Sequence, residues 1–394
     1  MVIVVAAAVV VNATGNFGHA RNFALFKETY KRQYASSKAE AAAFEVFKTN
    51  AEKAAKLEAA NKAAGGDAKF GMSPFMDLTE NEFKARYLMP KGAVEGGAAE
   101  LPVLRASNVG ALPKAYDWRD HKPAVITPVK NQGQCGSCWA FSAVSEVESM
   151  WALAGHELVV LSEQQVVDCD TTDDGCNGGD TISAYHYIEK AGGLVPEKDY
   201  PYTARDGKCK DSVVKKDAVA KIMGYNYATS PSTKNETQLA ANLMSTGPVS
   251  ICVDASSWQT YTSGILSHCG KQLDHCVQIT GWGTSGSEMY WWVRNSWATS
   301  WGMSGYIQLK FGQNTCGLAD EATIVTINTP GTHTSGTSSG SSSSGGSSSG
   351  STGYTSSGSG SSSSDVGSYS GYSSYGADRV AKPDYTSSSS TSSL

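Results

Sequence analysis

Residues 131–149 read NQGQCGSCWAFSAVSEVES, and their interpretation organises the rest of the chain. Cys135 and Cys138 form a C-x-x-C pair, which alone allows a redox-active dithiol or half of a zinc site. Neither completes: the chain has no second C-x-x-C, and no compact βαβ unit frames the pair. The residues after Cys138 have helical spacing instead. Ser137 is placed to cap the first turn, Phe141, Val144, Val147 and Trp151 mark one buried stripe, and Gly155 stands where the helix should stop. Cys138 is therefore expected at a helix N-terminus, where free amides and the helix dipole favour a thiolate. An ordinary cysteine is mostly protonated at neutral pH, so a nucleophilic one needs that help.

Two motifs downstream supply partners. LDHCVQITGWG places His275 at the start of an apolar, β-branched run, 137 residues after Cys138. VRNSWATSWGMSGY places Asn295 ahead of two tryptophans, 157 residues after Cys138. The three motifs together resemble those of the papain-like cysteine peptidases, whose nucleophile sits in C-G-S-C-W with His and Asn well downstream. In detail the chain looks closest to the cathepsin-L-like branch, especially to trypanosomatid members of the cruzipain type, through ALPKAYDWRD (111–120), LAGHELVVLSEQ (153–164) and VDASSWQTYTSGI (253–265). The likeness covers roughly residues 22–328. It implies an α+β fold of two lobes, a mostly helical lobe with Cys138 and a β-barrel-like lobe with His275 and Asn295.

Roles come from the same likeness. Cys138 would attack the scissile carbonyl as thiolate, and His275 would form the ion pair with it and protonate the leaving amine. Asn295 would hold the imidazole, with Trp297 covering that contact from water. Gln132 would complete an oxyanion hole with the backbone N–H of Cys138. His186 and His268 have no motif partner and are read as surface or structural residues.

Nine cysteines leave at least one unpaired. The family pattern implies Cys135–Cys176, Cys169–Cys209 and Cys269–Cys316, so Cys252 and Cys276 are expected as small buried thiols. Substrate-binding positions implied by the resemblance are Gly136, the backbone edge at Gly178 and Gly179, Asp274 and Trp297. A second-subsite pocket maps to Thr181, Cys252, Leu273, Cys276 and Glu321. Asp180 and Thr181 stand where relatives usually carry apolar residues, and Glu321 stands where dual-preference relatives carry Glu. No cofactor and no metal are expected.

Composition divides the chain. Residues 2–11 are all apolar, half the length that a membrane span needs, and read as the core of a secretory signal peptide within residues 1–20. Residues 21–62 look helical and charged, with Phe23, Phe26, Tyr30, Phe44 and Phe47 at helical spacing. Residues 21–90 resemble the family's inhibitory propeptide, through Phe47, Asn50 and Gly71-x-Ser73-x-Phe75-x-Asp77. Ala39 and Ala43 replace a Glu and an Arg of that motif and Ser73 replaces an Asn, so an internal ion pair should be missing and inhibition looser. Residues 91–111 read as linker and activation cleavage region, 112–328 as the peptidase domain, and 329–394, nearly all Ser, Gly, Thr and Tyr, as a disordered tail.

Residues 1–111 hold 14 basic against 11 acidic residues, a net +3, whereas residues 112–328 hold 16 against 23, a net −7. A cationic pro-segment facing an anionic body fits an electrostatically docked inhibitor. The overall charge of −5 argues against a nucleic-acid partner. Expected partners are protein and peptide substrates, the chain's own propeptide and cystatin-like inhibitors, for a monomer with no membrane span in a lysosome-like vacuole or outside the cell. Sequons at Asn12 and Asn235 fit that route. An inert homologue acting as a binding module is the first rival, yet all four chemical positions are intact. The second rival is a structural or adhesive protein that works through its tail, with proteolysis secondary.

Overall fold

Aromatic residues at helical spacing build the first part of the fold. Helices α1 (Asn16–Thr29) and α2 (Ser37–Ala63) cross through a cluster of Phe23, Phe26, Phe47 and Met76. The helical stretch expected over 21–62 is thus two helices, broken where Lys31 takes a positive φ of 51°. Ser36 restarts the chain as N-cap, accepting the N–H of Ala39. Strand β1 (Lys69–Phe70) and helix α3 (Glu80–Tyr87) come next, α3 opening on a reciprocal capping box between Thr79 and Glu82. The computed structural model describes residues 16–90, 92–94, 100–105 and 110–327. The expected tail lies outside these residues, as do most of the signal segment and part of the linker.

From Tyr116 the chain builds the body: β2 (Tyr116–Asp117), α4 (Cys138–Leu153), α5 (Glu163–Cys169), α6 (Thr181–Ala191), α7 (Asp211–Asp217), β3 (Gly224–Tyr227) and α8 (Glu236–Thr246). Seven strands complete it: β4 (Val249–Val253), β5 (Tyr261–Ser263), β6 (Ile265–Leu266), β7 (His275–Ser285), β8 (Glu288–Arg294), β9 (Tyr306–Lys310) and β10 (Ala322–Thr326). The large sheet runs β3-β10-β4-β7-β8-β9-β6, with β2 added on β7; only β6 and β9 pair in parallel. Helix α4 is buried from Cys138 to Met150 and forms the seam between helices and sheet, packing on β7 and β4 and against α5 and α6. Polar residues buried with it find partners: Glu148 accepts from Thr127 and Lys130, Ser142 donates to the Val277 carbonyl and Ser149 to that of Ser145. Strand β5 pairs with β1, so the pro-segment adds a short strand to the body. No helix among the described residues is long and apolar enough to cross a membrane.

Four disulfides form, one more than expected. Cys135–Cys176, Cys169–Cys209 and Cys269–Cys316 match the expectation. Cys252 and Cys276, expected as thiols, form the fourth. The register explains the correction: β4 and β7 place these two residues directly opposite each other, with Cα atoms 4.0 Å apart. Among the described residues only Cys138 remains free.

Candidate active site

Cys138 opens α4 and is completely buried. Ser137 occupies the N-cap position, but its side chain makes no cap bond. Its hydroxyl instead lies 2.7 Å from Tyr202 Oη, which in turn donates to the Gln132 carbonyl. The first-turn amides of α4 therefore stay available to the thiol, which takes N–H contacts from Cys138 itself, Trp139 and Cys276. Burial outweighs these donors and pushes the thiol up to about 12.

His275 begins β7, fully buried, with Nε2 2.7 Å from Asn295 Oδ1. That oxygen also accepts the N–H of Ser296 at 2.7 Å, which identifies it as the amide oxygen. Nε2 must then carry the hydrogen, and Nδ1, which has no partner among the described residues, is left to accept a proton. Trp297 stacks on the imidazole at 4.6 Å, and Trp258 meets it edge-on. Burial holds the imidazole down at about 4, with the Asn295 hydrogen bond pulling the other way. The Cys276 amide on the thiol brings the head of α4 against the strand end that bears His275. In this enclosed state both shifts favour the neutral pair over thiolate–imidazolium.

Gln132 is locked in one orientation. Its Oε1 accepts from Ser296 Oγ at 2.7 Å and Trp297 Nε1 at 3.1 Å, so Nε2 must face the cleft. There it donates to the carbonyls of Cys135 and, at 3.2 Å, of Tyr87 in the pro-segment. Residues 87–90 cross the cleft, with Met89 N–H donating to Asp274 O at 2.7 Å. A side chain at Gly178 would lie 3.1–3.4 Å from Pro90, Ala93 and Met89, and the residue has φ +119° besides. At Gly136 it would meet the Cys176 carbonyl at 2.6 Å, and at Gly179 the Trp139 ring at the same distance. Gly178 thus lets the pro-segment backbone lie close to the body, whereas Gly136 and Gly179 are held by close packing against Cys176 and Trp139 within it. Phe75, Phe83 and Tyr87 pack over Trp297, so the pro-segment covers the ring that covers His275.

Glu321 is buried, not on the surface, with Oε1 3.0 Å from Thr181 Oγ1. The same oxygen lies 3.4 Å from Cys252 Sγ, which as a disulfide sulfur has no proton to donate. Burial, and then the Asp180 carboxyl beside it, hold Glu321 well above the usual carboxylate range. Asp180 is the N-cap of α6. Leu273 and Cys276 are also buried, and Cys276 is bonded to Cys252. Burial likewise pushes Asp274 up to about 7.

Residues 112–326 match the family model described as papain family cysteine protease, and residues 23–83 that of the cathepsin propeptide inhibitor domain. The chain belongs to the papain family of cysteine proteases. It is 41% identical over 299 residues to a cysteine proteinase of Trypanosoma brucei brucei, an alignment covering 75% of this chain and 64% of the relative. It is 40% identical to cysteine proteinase 2 of Leishmania pifanoi, covering 79% and 71%. The solved digestive procathepsin L 3 of Tenebrio molitor larval midgut is 32% identical with a TM-score of 0.66, covering 78% of this chain and 99% of that one.

As a papain-family zymogen the chain carries its own inhibitor. Asn50 donates to the Met76 and Leu78 carbonyls, and Gln259 of the body donates to those of Phe75 and Leu78. With Ala39 and Ala43 on α2, the helix-internal ion pair is absent as expected, and a different pair links the turn after α1 to the second motif. Arg32, in the turn after α1, stands 3.3 Å from Asp77, which also accepts from Tyr34 Oη at 3.0 Å. Sequence reasoning missed Arg32, Tyr202, Ser296 and the Cys252–Cys276 bond. A basic residue in the turn after α1 was the only available signal for the first, and the others required the three-dimensional pairing. His186 and His268 are exposed, as expected.

Proposed function

We propose that this protease hydrolyses peptide bonds through Cys138 as nucleophile and His275 as its acid–base partner. With Nε2–H held by Asn295, Nδ1 takes the Cys138 proton, and the thiolate attacks the scissile carbonyl. The imidazolium then returns the proton to the leaving amine, and water hydrolyses the remaining thioester. Gln132 Nε2 and the Cys138 N–H stabilise the oxyanion. One observation carries the reading: Asn295 Oδ1 is shared by Ser296 N–H and His275 Nε2, which fixes the tautomer that a base at Nδ1 needs. A pro-segment carbonyl, that of Tyr87, already accepts from Gln132 Nε2. Removing the pro-segment readmits water, so the charged pair becomes accessible only after processing.

Glu321, Thr181, Leu273 and the Cys252–Cys276 wall form the second-subsite pocket, with Gly178 and Gly179 pairing substrate backbone. The mature enzyme spans about residues 112–328 after cleavage near Gly110–Leu112. It acts as a monomer on proteins and peptides, with cystatin-like proteins as inhibitors of the same cleft. Four disulfides support a secretory route to a lysosome-like vacuole or to the exterior. Cys138→Ala should leave a folded, unprocessed precursor without peptidase activity, read by gel and by a fluorogenic peptide. Turnover in that variant would sink the assignment. Asn295→Ala should be milder, because it misorients the base without deleting it.

A further inference from the structure

Cys252–Cys276 differs in kind from the other three disulfides. Those tie loops and helix ends, whereas this one joins neighbouring strands that the sheet already pairs. Its place in the ladder is specific. Cys252 sends its N–H to the Glu321 carbonyl on the β10 side, away from β7. The Cys252/Cys276 pair is therefore a non-hydrogen-bonded one, in which both N–H groups point outward from the pair. On the β7 side that outward direction leads to Cys138, whose thiol takes the Cys276 N–H. The register that lets the two sulfurs meet thus also aims an amide at the candidate nucleophile.

Strand β7 starts at His275, so this position is a strand end, held toward β4 on the other side by Asp274 N–H to Val253 O at 2.9 Å. Strand ends open most readily. At the Cys252/Cys276 pair the ladder itself supplies no hydrogen bond, and the covalent link fills that gap. We propose that the Cys252–Cys276 disulfide is a positioning element of the catalytic centre, fixing the end of β7 so that the Cys276 amide stays on the Cys138 thiolate and His275 stays beside it. The inference rests on the Cys138–His275 reading and deepens it. Cys138 is faced by Asp274 from the β7 side, the residue before His275, and by Tyr202 from the helical lobe. None of these is altered in the variants below.

The test uses the full chain, activated by its own acid processing, as wild type, C252A/C276A and C252V/C276A. In all three Cys138 is the only free thiol, so alkylation by iodoacetamide, counted as one adduct by mass, reports its ionisation alone. A weakened amide contact lets the thiolate form less readily, and its alkylation midpoint should rise by about one pH unit in both variants. At pH values below the new midpoint kcat should fall several-fold and raising the pH should restore it, whereas a KM change caused by the altered pocket wall should not follow that midpoint. A lower melting temperature with an unmoved midpoint would overturn the proposal, since it describes a purely structural bond. Valine returns volume that the alanine pair loses. Failure of both variants to fold would overturn the proposal as well, because the bond would then be a folding requirement. A wild-type rate with no ionisation step between pH 3 and 9 would instead refute the Cys138–His275 reading itself.

Discussion

Burial and the Asp180 carboxyl keep Glu321 protonated well above the ordinary carboxylate range, so at acid pH the floor of the proposed pocket is neutral. A substrate Phe or Leu asks nothing more of it. An Arg side chain does, because a guanidinium gains a charge-assisted contact only once Glu321 has lost its proton. Driving that proton off becomes easier as pH rises. The ratio of cleavage after Arg-Arg to cleavage after Phe-Arg should therefore climb with pH. Glu321→Ala should lose about tenfold or more of the Arg-Arg kcat/KM, the worth of one charged hydrogen bond, and should flatten the ratio while sparing Phe-Arg. Steady-state kinetics on the two dipeptide substrates between pH 4 and 8 measures this. Equal loss on both, or on neither, would show that Glu321 does not meet the substrate.

At the scale of elements, the pro-segment depends on a contact between the turn after α1 and the loop before α3. Asp77 has little exposure and its charge partner is Arg32. Arg32→Ala strands that carboxylate and should cost roughly 1–2 kcal/mol, discounted because the guanidinium is about a third exposed. In a Cys138→Ala background the precursor should melt earlier. With Cys138 intact it should process itself faster at pH 7, and Arg32→Lys should recover much of the difference. Unchanged melting and processing would mean that Tyr34 alone holds Asp77. The same contact shows where reading the sequence stops. Cys138 at the head of α4, and His275 and Asn295 in their motifs, were legible because each sits in a short local pattern with its own chemistry. Arg32 was not, because it lies outside the propeptide motifs, in the turn after α1, and only the fold brings it to Asp77. Cys252 and Cys276 were misread for a similar reason: strand register pairs them, and no local spacing encodes register. Ser137 was placed correctly at the N-cap, yet its hydroxyl is drawn to Tyr202 by packing across α4.

For the whole molecule the question is what releases the pro-segment. Two groups under it titrate in opposite senses. His275, held at about 4 against an ordinary 6.5, gains a proton when uncovered, so opening is favoured as pH falls from about 6.5 toward 4. Asp274, raised to about 7 from an ordinary 3.8, loses a proton when uncovered, so over a similar window acid favours the closed form. These contributions oppose each other. Glu80 does not decide either: its lysine partners hold it at about 2 against an ordinary 4.5, so its support of the pro-segment is lost mainly below the pH 4–5 range, as pH falls from about 4.5 toward 2. What remains is the attraction between a segment of net charge +3 and a body of net charge −7. Protonating surface carboxylates on the body between about pH 5 and 4 weakens that attraction, and salt screens it at any pH. The full-length precursor should therefore process itself faster at pH 4–5 than at pH 7, a range set by the ordinary carboxylate values. At pH 7 added salt should accelerate it, whereas at pH 4 salt should matter less because there is less attraction left to screen. Asp274→Asn removes the opposing group and should steepen the acid response. Gel time courses across pH and ionic strength test all three, and a processing rate indifferent to both variables would rule out electrostatic docking as the latch.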